Sequence, residues 1–147
     1  MNNYMNLALK EAKKSFKNND VPVGAIIVKN GKIISKGHNQ KEKKKNAIKH
    51  AEIIAIEKAC KKLHNWHLND CVMYVTLEPC LMCCGAIIQS RIKKVIYATS
   101  CDKFGYIESI DHIFQKNKNN HFVEIKKGIM QNESEQILKK FFQQIRN

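Results

Sequence analysis

The amino-acid sequence predicts an α/β domain in which a mixed sheet of five strands is flanked by helices. Three observations carry this expectation. Two β-rich runs are separated by Asn30-Gly31, the strongest two-residue hairpin signal, so the second run returns antiparallel to the first. A strand, a helix and a strand then follow between residues 72 and 98 at the spacing of a parallel, right-handed crossover. Apolar residues recur at helical spacing near both ends of the chain. At 147 residues the chain fits one domain, residues 1–147, with room for a real core.

The elements follow in order. Residues 2–17 read as a helix, because Met5, Ala8, Leu9, Ala12 and Phe16 recur at three and four while Lys10, Lys13, Lys14 and Lys17 face outward. Asn18-Asn19-Asp20 ends it, and Val23–Val28 and Lys32–Lys36 form the hairpin strands. Gln40–Asn46 holds four Lys, one Glu and no apolar residue, and is expected as a solvated loop next to any site at His50. Ala51–Leu63 is apolar on more than one face, which predicts a buried helix with His50 and Glu52 in its first turn.

Val72–Thr76 is the next strand. Pro79 suits the first position of the following helix, where its missing amide would be unbonded anyway. That puts Cys80 and Cys83 three apart on one face at the positive end of the dipole. Lys94–Ala98 completes the crossover. Residues 102–120 give no clear element, with Lys116–Asn120 expected as a surface loop, and Phe122–Lys126 is the last strand. Asn132, with Glu135 three later, predicts a capping box opening a final helix whose buried stripe is Ile137, Leu138, Phe141, Phe142 and Ile145. The chain shows no internal repeat and no linker.

Composition narrows the classes. The formal charge is +13, which favours a polyanionic partner such as RNA. Yet nearly all of the 26 basic residues are Lys, with only Arg91 and Arg146 as arginines, so a chain-wide compositional drift accounts for the charge equally well. No apolar run reaches the roughly eighteen residues of a membrane helix, and no signal segment is visible. Six cysteines without a signal peptide point to a reducing compartment, the cytoplasm, rather than to three disulfides. Cys60 and Cys71 read as small core residues. Cys84 should point about 100° away from Cys83.

The chemistry lies in His50-Ala51-Glu52 and Pro79-Cys80-Leu81-Met82-Cys83. One imidazole and two thiols are one ligand short of the four that tetrahedral Zn²⁺ takes, and catalytic sites keep that last position for water. A closed structural site would need Cys101, His38, His64 or His67 as a fourth ligand, and none stands at a usual finger spacing. His-x-Glu followed by Pro-Cys-x-x-Cys resembles the zinc-dependent nucleobase deaminases. VPVGAIIV (21–28), Gly37-His38-Asn39 and YVTLEPCLMCCGAI (74–87) extend the resemblance to tRNA adenosine deaminases, from about Leu7 to Phe142.

That resemblance implies a cytidine-deaminase-like three-layer sandwich with one Zn²⁺ per chain, held by His50, Cys80 and Cys83. It implies that Glu52 moves protons while adenosine becomes inosine at the wobble position of tRNA. Asn39 would hydrogen-bond the flipped base, the Ala51 backbone amide would touch it, and Val23 would line its pocket. The tRNA anticodon loop would be the partner, and a homodimer the assembly. Phe141 and Phe142 match C-terminal aromatics that approach RNA in the family, although their stripe position equally predicts core packing.

Some positions depart from the bacterial pattern. Asn46-Ala47-Ile48-Lys49 stands where Asp-Pro-Thr-Ala is usual, and Cys101 where Asp is usual. KNAIKHAE (45–52) and Phe104-Gly105 are closer to the catalytic subunit of the eukaryotic heterodimeric enzyme, which keeps a heterodimer and a nuclear location open. Two rival readings share the motif. One is a small-molecule deaminase of guanine or cytosine type, since Lys58-Ala59-Cys60-Lys61 and Leu68–Cys71 resemble bacterial guanine deaminases; the other is a non-catalytic zinc-stabilised RNA-binding module or partner subunit, which would carry the same ligands but has no need of Glu52.

Overall fold

The computed structural model describes residues 2–116 and 118–146; Asn117, inside the stretch predicted as a loop, lies outside them. Helix α1 (Asn2–Lys17) has the expected apolar face, with Met5, Ala8 and Ala12 fully buried. Strands β1 (Gly24–Lys29) and β2 (Lys32–His38) pair antiparallel across Asn30 and Gly31. Both turn residues have positive φ, 51° and 77°, as a two-residue turn of the primed type requires. Ile27 pairs with Ser35 and Val28 with Ile33, so Ile34 is an extra residue that bulges β2.

Gln40–Asn46 is not the open loop expected. A one-turn helix, α2 (Lys41–Lys44), forms there and ends at Lys45 in the left-handed conformation. Its physical cause is Asp20, buried at the end of α1, whose carboxylate accepts the amides of Glu42 (2.8 Å) and Lys43 (3.4 Å). A run chosen for solubility is thereby given a fixed shape.

Helix α3 (Ala51–Leu63) leads to β3 (Cys71–Leu77), which lies antiparallel to β1. Helix α4 (Leu81–Gln89) crosses over to β4 (Lys94–Thr99), parallel to β3. After a 3₁₀ turn at Ile113–Gln115, strand β5 (Glu124–Lys127) pairs parallel to β4, giving the order β2-β1-β3-β4-β5. Helix α5 (Gln131–Arg146) closes the chain. The mixed five-stranded sheet between helical layers is the predicted fold class.

Side chains alternate across this sheet as the pleat dictates. Ala25, Ile27, Met73, Val75, Val95 and Tyr97 share one cluster with α3 and α4, whereas Ile26, Val28, Tyr74, Ile96 and Ala98 share another with α1. Gly37 sets the fit between β2 and α3. A Cβ there would stand 2.5 Å from the Ala51 carbonyl oxygen and 2.9 Å from the Ala55 nitrogen, so only glycine lets the helix carrying the candidate site lie this close.

Four local expectations need correction. Helix α4 begins at Leu81 with Cys80 extended at its N-cap, so Pro79 precedes the helix instead of opening it. The Pro79 carbonyl instead accepts the Tyr106 amide (3.0 Å) from the loop that crosses over it. Helix α5 starts at Gln131, one residue ahead of the predicted cap at Asn132, and Glu135 bonds Thr99 Oγ1 (2.9 Å) and Gln131 Nε2 (2.8 Å) rather than closing a capping box. The buried stripe of α5 is also narrower than predicted. Phe141 is buried against Phe16, but Phe142 and Ile145 are 40% and 60% exposed. Strand β5 begins at Glu124, leaving Phe122 in solvent.

Candidate active site

The starts of α3 and α4 meet beside the start of β1 and the end of β3, which lie together because the two strands are antiparallel. His50 and Cys80 occupy the two N-caps, both in extended conformation, and their carbonyls accept the first helical bonds from Ile54 (3.0 Å) and Cys84 (2.9 Å). Cys83 lies one turn into α4 and is fully buried. His50 Nδ1 is 3.6 Å from Cys80 Sγ and 3.5 Å from Cys83 Sγ. A tetrahedral ion bonded at about 2.1 Å to nitrogen and about 2.3 Å to sulfur spaces such atoms about 3.6 Å apart, so the donor set and its spacing fit zinc. Among the described residues this is the one His/Cys/Asp/Glu group whose ligand atoms converge for a metal.

Charge is already divided within the trio. A hydrogen bond from Cys83, followed in weight by the one shared with His50, holds the Cys80 thiol down at about 4. Cys83 moves the other way, because its proton is held between the two sulfurs and burial opposes a second thiolate. His50 is raised by its bond to Cys80. Zinc ligation requires thiolates and a neutral imidazole, so binding a metal here releases protons. Cys84 takes no part. Its thiol points to the Pro79 carbonyl (3.6 Å), and burial raises its pKa.

Glu52, at the second position of α3, is 4% exposed. Burial first, and then the negative charge on Cys80, push its carboxyl up to about 7, against the opposing pull of His50. Such a group can both take and give a proton near neutral pH. It lines a cavity of about 640 Å³ together with His50, Cys80, Asn39 and Val23.

Asn39 is fixed on three sides. Its amide donates to the Val23 carbonyl (3.1 Å), its carbonyl accepts Ser15 Oγ (2.8 Å), and its Oδ1 accepts the Ala51 amide (2.8 Å). The Ala51 amide and the Asn39 side-chain oxygen are thus partnered with each other, which leaves Asn39 Nδ2 as the donor toward the cavity. Val23 is buried, its side chain in the cavity wall.

The outer wall joins Phe142, which matches RNA-approaching aromatics of the family, to residues that sequence reasoning did not place in the site. Ser100, Cys101, Asp102, Lys103 and Phe104 line the cavity from the loop after β4, with Lys41 of α2 and Leu138 and Phe142 of α5. Their organiser is Glu78, 2% exposed, in the connection from β3 to Pro79. Its carboxylate accepts the amides of Cys101, Ile107, Glu108 and Ser109 at 2.8–3.0 Å and the Ser109 hydroxyl at 2.5 Å. The available signal was a carboxylate at a predicted strand end with no basic neighbour in sequence. His64 and His67 stay apart from the site, His64 ending α3 and His67 stacked on Trp66.

Comparison with known proteins agrees with this fold. A profile for the MafB19-like deaminase family matches residues 1–146. A tRNA-specific adenosine deaminase of Rickettsia bellii is 47% identical over 145 residues, spanning 97% of this chain and all of that one. A solved structure from a study of A-to-I editing by tRNA:A34 deaminases at the wobble position superposes with a TM-score of 0.91 at 35% identity, covering 94% of this chain and 100% of that one. The guanine deaminase of Bacillus subtilis is 33% identical, with a TM-score of 0.64, over 83% and 81% of the two chains.

Proposed function

The chain belongs to the MafB19-like deaminases and, within them, to the tRNA-specific adenosine deaminases, and from that premise we propose that it converts adenosine to inosine at the wobble position of a tRNA anticodon. The observation that carries the reading is the convergence of His50 Nδ1 and two thiols at the spacing of a tetrahedral ion, beside the buried carboxyl of Glu52. The higher TM-score and near-complete coverage of the tRNA enzyme favour a tRNA adenosine over free guanine. Bacterial relatives of this kind favour the cytoplasm as the place of the reaction.

His50, Cys80 and Cys83 would hold one zinc ion, which when bound supplies a Lewis acid that makes water acidic near neutral pH. Glu52 takes a proton from the attacking water and delivers it to N1 of the adenine ring. Glu52 then takes the remaining proton from the oxygen added at C6 and gives it to the exocyclic nitrogen, so that the C6–N bond breaks as the C6 carbonyl forms. Water and adenosine are consumed, and ammonia and inosine are formed. Asn39 Nδ2 donates to a ring nitrogen and so turns C6 toward Glu52, while Val23 packs against the base and keeps bulk water out. An anticodon loop suits a cavity of this size, because flipping a base costs least where it is already single-stranded.

Incubating the purified, zinc-quantified chain alone with an anticodon stem-loop bearing wobble adenosine, and reading inosine by sequencing, tests the reading. Product from the lone chain supports a self-sufficient homodimer. Product only after addition of a related subunit supports a heterodimer. Turnover of free guanine with none on the stem-loop would replace the reading with the small-molecule one.

A further inference from the structure

Phe104 is 65% exposed, yet it lines the same cavity as His50, Glu52 and Asn39. Phe142, 40% exposed, lines the same cavity, so the mouth carries two exposed rings rather than one, an apolar rim of the kind a ligand covers. Its position is also fixed by the chain around it. The Cys101 carbonyl accepts the Gly105 amide (2.8 Å), closing a turn that carries Phe104, and Cys80 bridges to Gly105 in antiparallel fashion. Glu78 holds both ends of this turn through its bonds to Cys101 on one side and to residues 107–109 on the other. A Cβ at position 105 would overlap the Glu78 carboxylate, so the residue after Phe104 must be glycine. The ring therefore stands on a braced turn and is preorganised for whatever packs on it.

The surroundings select the ligand. Lys103 and Lys41 line the same cavity, and Phe142 reaches it from α5. An aromatic face beside cations fits a nucleotide, with the base on the ring and the phosphates toward the amines. Flipping one base out of a single-stranded loop also deprives its neighbour of a stacking partner, and an aromatic side chain can replace it.

We infer that Phe104 is a stacking platform for the nucleobase next to the target adenosine, held at the cavity rim by the loop that Glu78 anchors. This rests on the reading of the cavity as an RNA deaminase site, and its test separates the two. Equilibrium binding of a fluorescein-labelled anticodon stem-loop is measured by anisotropy for the parent, Phe104→Ala and Phe104→Trp, each with the intact loop and with loops abasic immediately 5′ or 3′ of the target. Loss of one flanking base should weaken the parent roughly ten-fold. Phe104→Ala should bind the intact loop roughly ten-fold more weakly and be insensitive to that same abasic change, and Phe104→Trp should behave as the parent.

Equal Kd for parent and Phe104→Ala, or equal abasic penalties in both, overturns the platform. Inosine formation by the parent is read on the same samples. A Phe104-dependent abasic penalty with no inosine, either from the chain alone or after addition of a related subunit, would overturn the proposed reaction and leave the platform standing. Inosine without such a penalty would do the reverse. Phe104 is solvent-exposed, so matching thermal melts of parent and Phe104→Ala check that its fold is intact.

Discussion

The inner wall of the cavity is made of helix starts and the outer wall of an irregular loop, and the two are held by different means. His50, Glu52, Cys80 and Cys83 sit on the first turns of α3 and α4, whose backbone ladders and core contacts would persist if any one side chain were changed. Residues 100–109 have no ladder of their own beyond a single bridge and are gathered mainly by the Glu78 carboxylate, with Glu108 adding bonds to Ser100 and Lys127 and the Pro79 carbonyl holding Tyr106. The candidate reacting groups are thus fixed by secondary structure, and the outer rim by a buried charge satisfied with amide donors. Changes on the inner wall should remove chemistry, and changes behind the outer wall should remove fit.

The largest effect expected is that of Cys83→Ala. It takes away one of three ligands, so bound zinc measured by elemental analysis should fall from about one per chain toward none, with inosine formation at background. Thermal stability should fall with it, since metal binding adds to folding free energy. Glu52→Gln comes next. Zinc should stay bound while the single-turnover rate drops about 10²- to 10⁴-fold, because the amide cannot accept the proton. A variant that keeps both zinc and the parental rate would remove Glu52 from the reaction.

On the outer wall, Glu78→Ala orphans four amides and a hydroxyl. A cost of about 3 kcal/mol follows, lowering Tm by about 10 °C, with KM for the stem-loop raised more than kcat is lowered and zinc retained. Equal loss of zinc would mean that the two walls are not separable. pH supplies a second readout. Burial works to raise the Glu78 carboxyl, but bonds from the Ser109 hydroxyl and from the Cys101, Glu108 and Ser109 amides together bring it below the ordinary 4.5. The folded value is below the unfolded one, so this stabilisation is complete above about pH 5 and is lost as pH falls through the folded value. The Tm gap between the parent and Glu78→Gln should therefore be widest at neutral pH and narrow in acid.

The same contrast governs what could be read from the sequence. Helices α1 and α3 were legible to the residue, because an apolar period over a dozen residues leaves little choice, and the hairpin was legible because Asn-Gly forces its turn. The convergence of His50 with Cys80 and Cys83 followed from a motif with ligand spacing. Loop 100–109 was not legible, since its shape comes from hydrogen bonds to a residue more than twenty positions away and leaves no local period. The α2 turn failed for the same reason: its anchor, Asp20, lies some twenty residues upstream. Phe142 and Ile145 continue the apolar spacing of α5 yet stay 40% and 60% exposed, because spacing along a helix marks a face without saying how much of it a neighbour covers.

Helix α2 tests how far the argument about the outer wall extends. Like the loop it hangs on one buried carboxylate, but Asp20 meets only two amides, against four amides and a hydroxyl for Glu78. Asp20→Ala should cost about 1 kcal/mol, as loss of a helix cap does, and lower Tm by about 3 °C. Lys41, Lys43 and Lys44 are exposed and ride on this turn, so freeing it should weaken stem-loop binding by less than about three-fold and leave the salt dependence of binding nearly unchanged, because the charges remain. If Asp20→Ala instead matched Glu78→Ala in KM and Tm, the number of amide donors on the carboxylate would not be what sets the rigidity of the rim.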